Sequence, residues 1–134
     1  MKNLLLILSI LASLNAQNVT LDTGTSLLWQ DNADVKSKRF TYKEAQAYCS
    51  NLVLDKHSDF QIPTINELQS IVDYRNHNPV ILKGFLKPAA EDFWTSTPYV
   101  YSKGSMWTID FKKGSREPAG ERYSKHLRCV QHVK

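Results

Sequence analysis

Cysteine and histidine side chains offer the most recognisable chemistry in this sequence. His126, Cys129 and His132 follow one another at three-residue steps near the end of the chain. They would present nitrogen and sulfur ligands of the kind that hold zinc. We predict a strand here, however, and residues an odd number apart in a strand point to opposite faces. Both histidines would then point away from Cys129, so the pattern does not favour one shared metal ion.

The beginning of the chain indicates where the protein works. Lys2 precedes an apolar run over residues 4–14, which ends just before Ala16, and this is the pattern of an export signal. Residues 1–16 are therefore predicted to be a signal peptide, and residues 17–134 a single mature domain that is periplasmic or secreted. No transmembrane segment is expected in the mature chain, because the 4–14 run is itself too short to span a bilayer and no other stretch comes near its length.

Export also sets the expected state of the two cysteines, Cys49 and Cys129. Disulfides form and persist in oxidising compartments. Cys49 lies on the apolar face of a predicted helix and Cys129 in the predicted last strand. We predict a disulfide between them, with a reactive thiol or a metal ligand as the alternatives. Closing so long a loop stabilises the fold by roughly 4 kcal/mol on the chain-entropy model.

Patterns typical of enzymes are weak. Ser96 and Ser105 lack the Gly-x-Ser-x-Gly turn that presents a nucleophile in many hydrolases. The polar stretch with Asp55, His57 and Asp59 lacks the ligand periodicity of a calcium loop. We therefore expect no catalytic activity, no cofactor and no bound metal.

Basic and aromatic side chains carry the remaining functional signal. From Lys112 onward the chain has seven basic and two acidic residues, within a net charge of +4 for the whole sequence. A basic tract attracts polyanions, and exposed tyrosines offer ring faces for stacking. The candidate ligand surface consists of Lys112, Lys113, Arg116, Arg122, Tyr99 and Tyr101. A solvated basic face without a partner is the alternative, and nucleic acid is not expected for an exported chain of such modest charge.

Two short helices should position much of this surface. Thr41 with Glu44, and Thr64 with Glu67, match the capping box that begins a helix. Apolar residues follow each pair at helical spacing, which predicts helices over 42–52 and 65–73. Alternating patterns predict strands over 18–21, 26–30, 93–101, 106–111 and 127–133. Long loops are predicted over 74–92 and 112–122.

Taken in order, several short motifs resemble one known family, the Lcl C-terminal domain, a domain of unknown function found in exported bacterial proteins and in collagen-like adhesins. The motifs are Trp29-Gln30, Tyr42, Ala45, Tyr48-Cys49, Ile62-Pro63-Thr64, Glu67-Leu68, Trp94-Thr95-Ser96, Phe111, Gly114 and Arg128-Cys129-Val130. The sequence departs from the family pattern at Phe60-Gln61, where relatives usually carry Trp-Arg, and at Leu27, where they carry Gly. The loss of the arginine removes a bidentate donor.

The resemblance implies an α+β, C-type-lectin-like fold, which is shared with formylglycine-generating enzymes. In that fold two short helices flank a small, twisted, mostly antiparallel sheet with long loops, and one disulfide ties the first helix to the last strand. Formylglycine generation would need a pair of active-site cysteines that can hold copper. Here the predicted disulfide consumes both cysteines, so this activity is not expected.

The expected function is that of an exported, non-catalytic binding module. The adhesin resemblance suggests a glycan or polyanionic polysaccharide at the cell envelope as the ligand, bound by the 74–92 and 112–122 loops. The alternative is an envelope accessory protein that binds a protein partner through its long loops, with no glycan ligand.

Overall fold

A computed structural model describes residues 17–132 of the chain. The predicted signal peptide, residues 1–16, lies outside the described residues, as does the end of the predicted last strand. The helices are α1 (Asp34–Ser37), α2 (Tyr42–Asn51) and α3 (Ile65–Gln69). The strands are β1 (Val19–Asp22), β2 (Leu27–Gln30), β3 (Asp92–Pro98), β4 (Ser105–Asp110), β5 (Ser115–Gly120) and β6 (Val130–His132).

The strands form two small antiparallel sheets. The first has the order β1-β2-β6, so β2 pairs with both β1 and β6. Trp29 of β2 lies opposite Thr20 of β1 and Val130 of β6. The second has the order β3-β4-β5, three consecutive strands joined by hairpins. A bridge between Phe93 and His126 joins the second sheet to the segment that leads into β6.

Both predicted capping boxes are present. Thr41 Oγ1 accepts from Glu44 N (3.3 Å) and Glu44 Oε1 accepts from Thr41 N (2.8 Å). Thr64 and Glu67 make the same pair of hydrogen bonds at the start of α3, at 3.1 and 2.9 Å. Each box satisfies two amides that would otherwise lack partners in the first helical turn.

Two apolar clusters fill the interior. The first packs α3 against both sheets and contains the buried Trp29, Leu68 and Phe93. The second surrounds the disulfide and contains the buried Phe60 and Trp94. Each fully buried side chain of this size contributes roughly 1.5–3 kcal/mol to stability, so these clusters hold the two sheets and α2 in fixed relative positions.

The predicted disulfide is confirmed. Cys49 on α2 is bonded to Cys129, the residue before β6, and the two positions are 80 residues apart in sequence. Both cysteines are buried. The predicted α+β class, with short helices, small antiparallel strands and one disulfide, is also confirmed, while the closer likeness to C-type lectins stays a prediction.

The predicted 112–122 loop is wrong, because most of it forms strand β5. All six residues of β5 lie opposite residues of β4, from Ser115 opposite Asp110 to Gly120 opposite Ser105. Pro118 lies within this strand although proline cannot donate to a strand ladder. β5 is an edge strand, the position where a sheet tolerates proline.

Four further features differ from the predicted ones. β6 begins at Val130 rather than at 127. α3 ends at Gln69 rather than near 73, because residues 70–71 form a turn and Val72 then bridges to Ile81. The polar stretch after β2 contains the short helix α1, which the completely buried Val35 anchors to the first cluster. Strand β3 ends at Pro98, so the segment with Tyr99 and Tyr101 forms the turn to β4 instead of continuing the strand.

Candidate functional site

The turn between β4 and β5 presents two of the predicted cationic residues. Lys112 and Lys113 are exposed at its tip. Asp110 closes the turn, since its carbonyl accepts from Gly114 N (2.7 Å) and its carboxylate from Lys112 N (2.8 Å). Gly114 has a φ of 79°, a left-handed conformation that favours glycine. The turn therefore holds both lysines at a fixed place.

The 74–92 loop packs directly against this turn. Tyr74 Oη donates to Gly114 O at 2.9 Å, and the ring lies so close that a Cβ on Gly114 would be 2.5 Å from Tyr74 Cε1. Val80 N donates to Phe111 O at 2.9 Å. These contacts bring the two predicted loop regions together at one end of the second sheet, as the sequence-based proposal of a shared surface requires.

Further cations join the lysines at this end of the sheet. Arg116 extends from β5 and donates from Nε to Gln69 Oε1 at 3.1 Å. Arg75 and Lys83 lie on the 74–92 loop and line a depression of about 410 Å³ with Asp73. We call Arg75, Lys83, Lys112, Lys113 and Arg116 the basic end.

Carboxylates offset part of the charge of the basic end. Arg75 binds Asp73 through two hydrogen bonds of 2.8 and 2.9 Å, which lower the pKa of Asp73, with a smaller contribution from the charge of Lys83. Lys113 Nζ lies 3.7 Å from a carboxylate oxygen of Glu117. The carboxylates beside the five cations are Asp73, Asp110 and Glu117. Two more, Glu91 and Asp92, lie at the start of β3 at the same end of the sheet, where Asp92 is paired with Lys125 and Glu91 lies 3.9 Å from His126 Nε2.

The other predicted ligand residues lie at the opposite end of the same sheet. Ser105 opposite Gly120 marks that end, five residue steps or roughly 17 Å along β4 from the basic end. Tyr99 packs edge-on against Tyr101 and Trp107, with ring centroids 5.5 and 4.9 Å apart, and Tyr101 is 85% exposed. Arg122 follows Glu121, whose N donates to Gly104 O at 2.9 Å.

The six predicted ligand residues therefore form two separate groups. Lys112, Lys113 and Arg116 belong to the basic end, whereas Tyr99, Tyr101 and Arg122 lie near the β3–β4 hairpin. The sequence did not indicate this division, because it depends on β5 being a strand that pairs along the full length of β4.

The His–Cys–His pattern does not converge on one point. Cys129 is in the disulfide, and the buried His126 has Nδ1 3.1 Å from Val35 O. His132 instead lies on the surface against the carboxylate of Glu67. Among residues 17–132, no three or more His, Cys, Asp or Glu side chains are grouped so that they could hold a metal ion.

The model of one protein family, the Lcl C-terminal domain, matches residues 18–131. This chain belongs to the Lcl C-terminal domain family. No curated protein matches it. The matched range includes all three helices and both sheets apart from His132, so the basic end lies within the Lcl C-terminal domain itself. Within the described part of this domain, no helix is long and apolar enough to cross a membrane.

A buried ion pair of this Lcl C-terminal domain was not among the features predicted from the sequence. Arg128 is 2% and Asp31 0% exposed, and Arg128 Nη1 lies 3.1 Å from Asp31 Oδ1. Asp31 also accepts from the amides of Leu86 and Lys87 at 2.6 and 2.8 Å. The pair thus fixes the 74–92 loop to the body of the domain. The sequence did contain one sign of this pair. Arg128 directly precedes Cys129, which was predicted to lie in the core, and a charged residue is rarely buried unless it is paired.

Proposed function

We propose that the mature domain is an exported, non-catalytic module that binds a polyanionic glycan at the cell envelope through the basic end. The observation that carries this proposal is the contact of Tyr74 with Gly114, which joins the 74–92 loop to the β4–β5 turn. Lys112 and Lys113 on that turn then lie beside the loop that carries Arg75 and Lys83. Sulfate and carboxylate groups along a polysaccharide are complementary to such a surface.

The state of the cations also supports this ligand class. Lys112 and Lys113 are exposed, and the contact of Lys113 with Glu117 is long, at 3.7 Å between partly exposed side chains. Exposed pairs of this kind are weak. A ligand sulfate can therefore replace Glu117 as the partner of Lys113 at little cost.

The alternative of an apolar docking loop has less support. Val80 and Ile81 are buried, while Leu82 and Phe85 pack against the first cluster. These side chains hold the 74–92 loop on the domain and offer little apolar area to a protein partner. Leu86 is 50% and Tyr74 63% exposed, but Tyr74 is hydrogen-bonded to Gly114 O at the basic end.

The test is binding of the oxidised mature domain to an immobilised sulfated glycan at two salt concentrations. The variant Lys112→Ala/Lys113→Ala/Arg116→Ala removes three exposed contacts worth about 0.5 kcal/mol each. We expect Kd to rise about tenfold at low salt. Binding by the unaltered domain should weaken as salt rises, because the Debye length falls from about 10 Å at 0.1 M to about 3 Å at 1 M.

The matched control is Lys36→Ala/Lys43→Ala/Lys103→Ala, which changes net charge equally at three exposed lysines away from the basic end. This control should bind nearly as well as the unaltered domain. Equal losses in the two triple variants would mean that total charge, rather than the basic end, decides binding. Absence of binding at low salt would refute the polyanion proposal.

A further inference from the structure

A second concave surface lies between α2 and the segment that precedes α3. It is a groove of about 280 Å³, and the buried Phe60 and Ile62 are among the residues that line it. Tyr42 on α2 contributes an aromatic wall. The Tyr42 ring is held edge-on against Trp94, with centroids 5.6 Å apart and an interplanar angle of 78°. The groove therefore has a pre-formed apolar surface with a rigid aromatic ring.

Polar side chains from several elements converge on the same groove. Gln46 and Ser50 come from α2, and Gln61, Glu67 and His132 come from the segments opposite it. Amide, hydroxyl, carboxylate and imidazole groups are thus placed around an apolar surface. Pockets for small molecules combine these two features, with the polar groups fixing the orientation of the ligand.

The Gln61 amide remains available to a ligand. Its Nε2 lies 3.4 Å from His132 Nε2, but that nitrogen is already in short contact with Glu67 Oε2. At 3.4 Å the contact between Gln61 and His132 is longer than an ordinary hydrogen bond, so it holds the Gln61 amide only weakly. The amide of Gln61 therefore keeps its donors for a ligand.

The groove has little preference for a charged ligand. Its lining includes no lysine or arginine. The carboxylate of Glu67 is already bound, since Oε1 accepts from Thr64 N at 2.9 Å and Oε2 contacts His132. This distinguishes the groove from the basic end and indicates an uncharged ligand.

The backbone beside the groove is not free to add a peptide strand. Ser96 N donates to Pro63 O at 2.8 Å, and Gln61 and Val130 exchange two backbone hydrogen bonds of 2.9 Å. A peptide that binds as an added strand needs unpaired backbone groups at an edge. The groove instead offers side-chain amides and hydroxyls, which suit a ligand with many hydroxyl groups.

We propose that this groove binds a single uncharged pyranose ring, such as a neutral hexose or N-acetylhexosamine unit of a glycan. The apolar C–H face of the ring would pack on Tyr42, and the hydroxyls would meet Gln46, Gln61 and Ser50. At about 280 Å³ the groove is just below the range of roughly 300–1,000 Å³ for drug-sized ligands, which fits one ring. The site is distinct from the basic end and does not depend on polyanion binding there.

The test is a titration of the ¹⁵N-labelled, oxidised mature domain with methyl glycosides of neutral hexoses and N-acetylhexosamines. A ligand with so few atoms is expected to bind with a Kd on the order of 1 mM. At least one glycoside should shift the amide signals of Gln46, Gln61 and Glu67. Gln61→Ala should weaken that binding about fivefold, the effect of one lost neutral hydrogen bond.

Gln131→Ala is the matched control, because its side chain donates to Ser58 O outside the groove. It should leave the Kd of the glycoside unchanged. Three results would overturn the proposal. The first is that no glycoside shifts the amide signals of Gln46, Gln61 and Glu67, the second is that the shifts occur only at the β3–β4 hairpin, and the third is that Gln61→Ala binds the glycoside as tightly as Gln131→Ala does. Shifts caused by an uncharged capped tetrapeptide but by no glycoside would also overturn it.

Discussion

Asp31→Ala removes an acceptor that four donors share. Asp31 accepts from Thr20 Oγ1 at 2.5 Å, Leu86 N at 2.6 Å, Lys87 N at 2.8 Å and Arg128 Nη1 at 3.1 Å. After the change, the Arg128 guanidinium keeps the carbonyls of Gln30 and Lys87 as partners but loses its counter-charge in a fully buried place. Burial already lowers the pKa of Arg128, and the charge of Asp31 opposes that effect.

The expected loss of stability is about 3–5 kcal/mol, the range for breaking a buried ion pair by removing one partner. A domain of this size has roughly 5–15 kcal/mol in total, so the variant should lose a large part of its stability. Urea unfolding of the oxidised protein at pH 7, followed by tryptophan fluorescence, measures the change. Faster amide exchange at Leu86 and Lys87 should accompany it, because both amides lose their acceptor.

Asp73→Ala is the control for this prediction. Asp73 is itself only 11% exposed, but the Arg75 side chain that it leaves unpaired is 85% exposed and stays hydrated, so the effect should be far smaller. A loss below about 1 kcal/mol for Asp31→Ala, the value typical of an exposed pair, would refute the reasoning that this ion pair anchors the loop.

Three further predictions concern the turn, the disulfide and an exposed carboxylate. Gly104→Ala should lower the free energy of unfolding by about 1 kcal/mol, because alanine is strained at the φ of 80°. Gly114→Ala should lower it by about 1 kcal/mol more, because it also displaces the Tyr74 ring and its hydrogen bond. Equal urea midpoints for the two variants would contradict this. Cys49→Ser/Cys129→Ser should lose roughly 4 kcal/mol of unfolding free energy, and an unchanged urea midpoint would contradict the chain-entropy reasoning. Hydrogen bonds from Asn18 lower the pKa of Asp55, so their contribution to stability is complete above the unfolded pKa of about 3.9 and is lost as pH falls through the folded value. Asn18→Ala should raise the pKa of Asp55 in an NMR titration, and an unchanged value would contradict this assignment.

Local features of the fold were predictable from the sequence. The capping boxes at Thr41 and Thr64 depend on residues three positions apart, so a short stretch contains the whole signal. The disulfide was predictable because the export pattern at residues 1–16 predicts an oxidising compartment and the chain has two cysteines, Cys49 and Cys129.

Long-range features were not predictable in the same way. Pro118 and the glycines around it suggested a loop, and the edge position that permits proline in β5 is a property of the assembled sheet. The partners of the Asp31–Arg128 pair are 97 residues apart. The division of the candidate ligand surface followed from the β5 error, because pairing with β4 places Lys112 and Arg122 at opposite ends.

The most direct test of the central proposal is to map where a sulfated oligosaccharide of defined length contacts the oxidised mature domain, amide by amide, in a ¹⁵N NMR titration. We predict shifts concentrated over residues 74–83 and 110–116, which shrink as salt rises. Shifts confined to the hairpin with Tyr99 and Tyr101, or no shifts at low salt, would contradict the assignment of polyanion binding to the basic end.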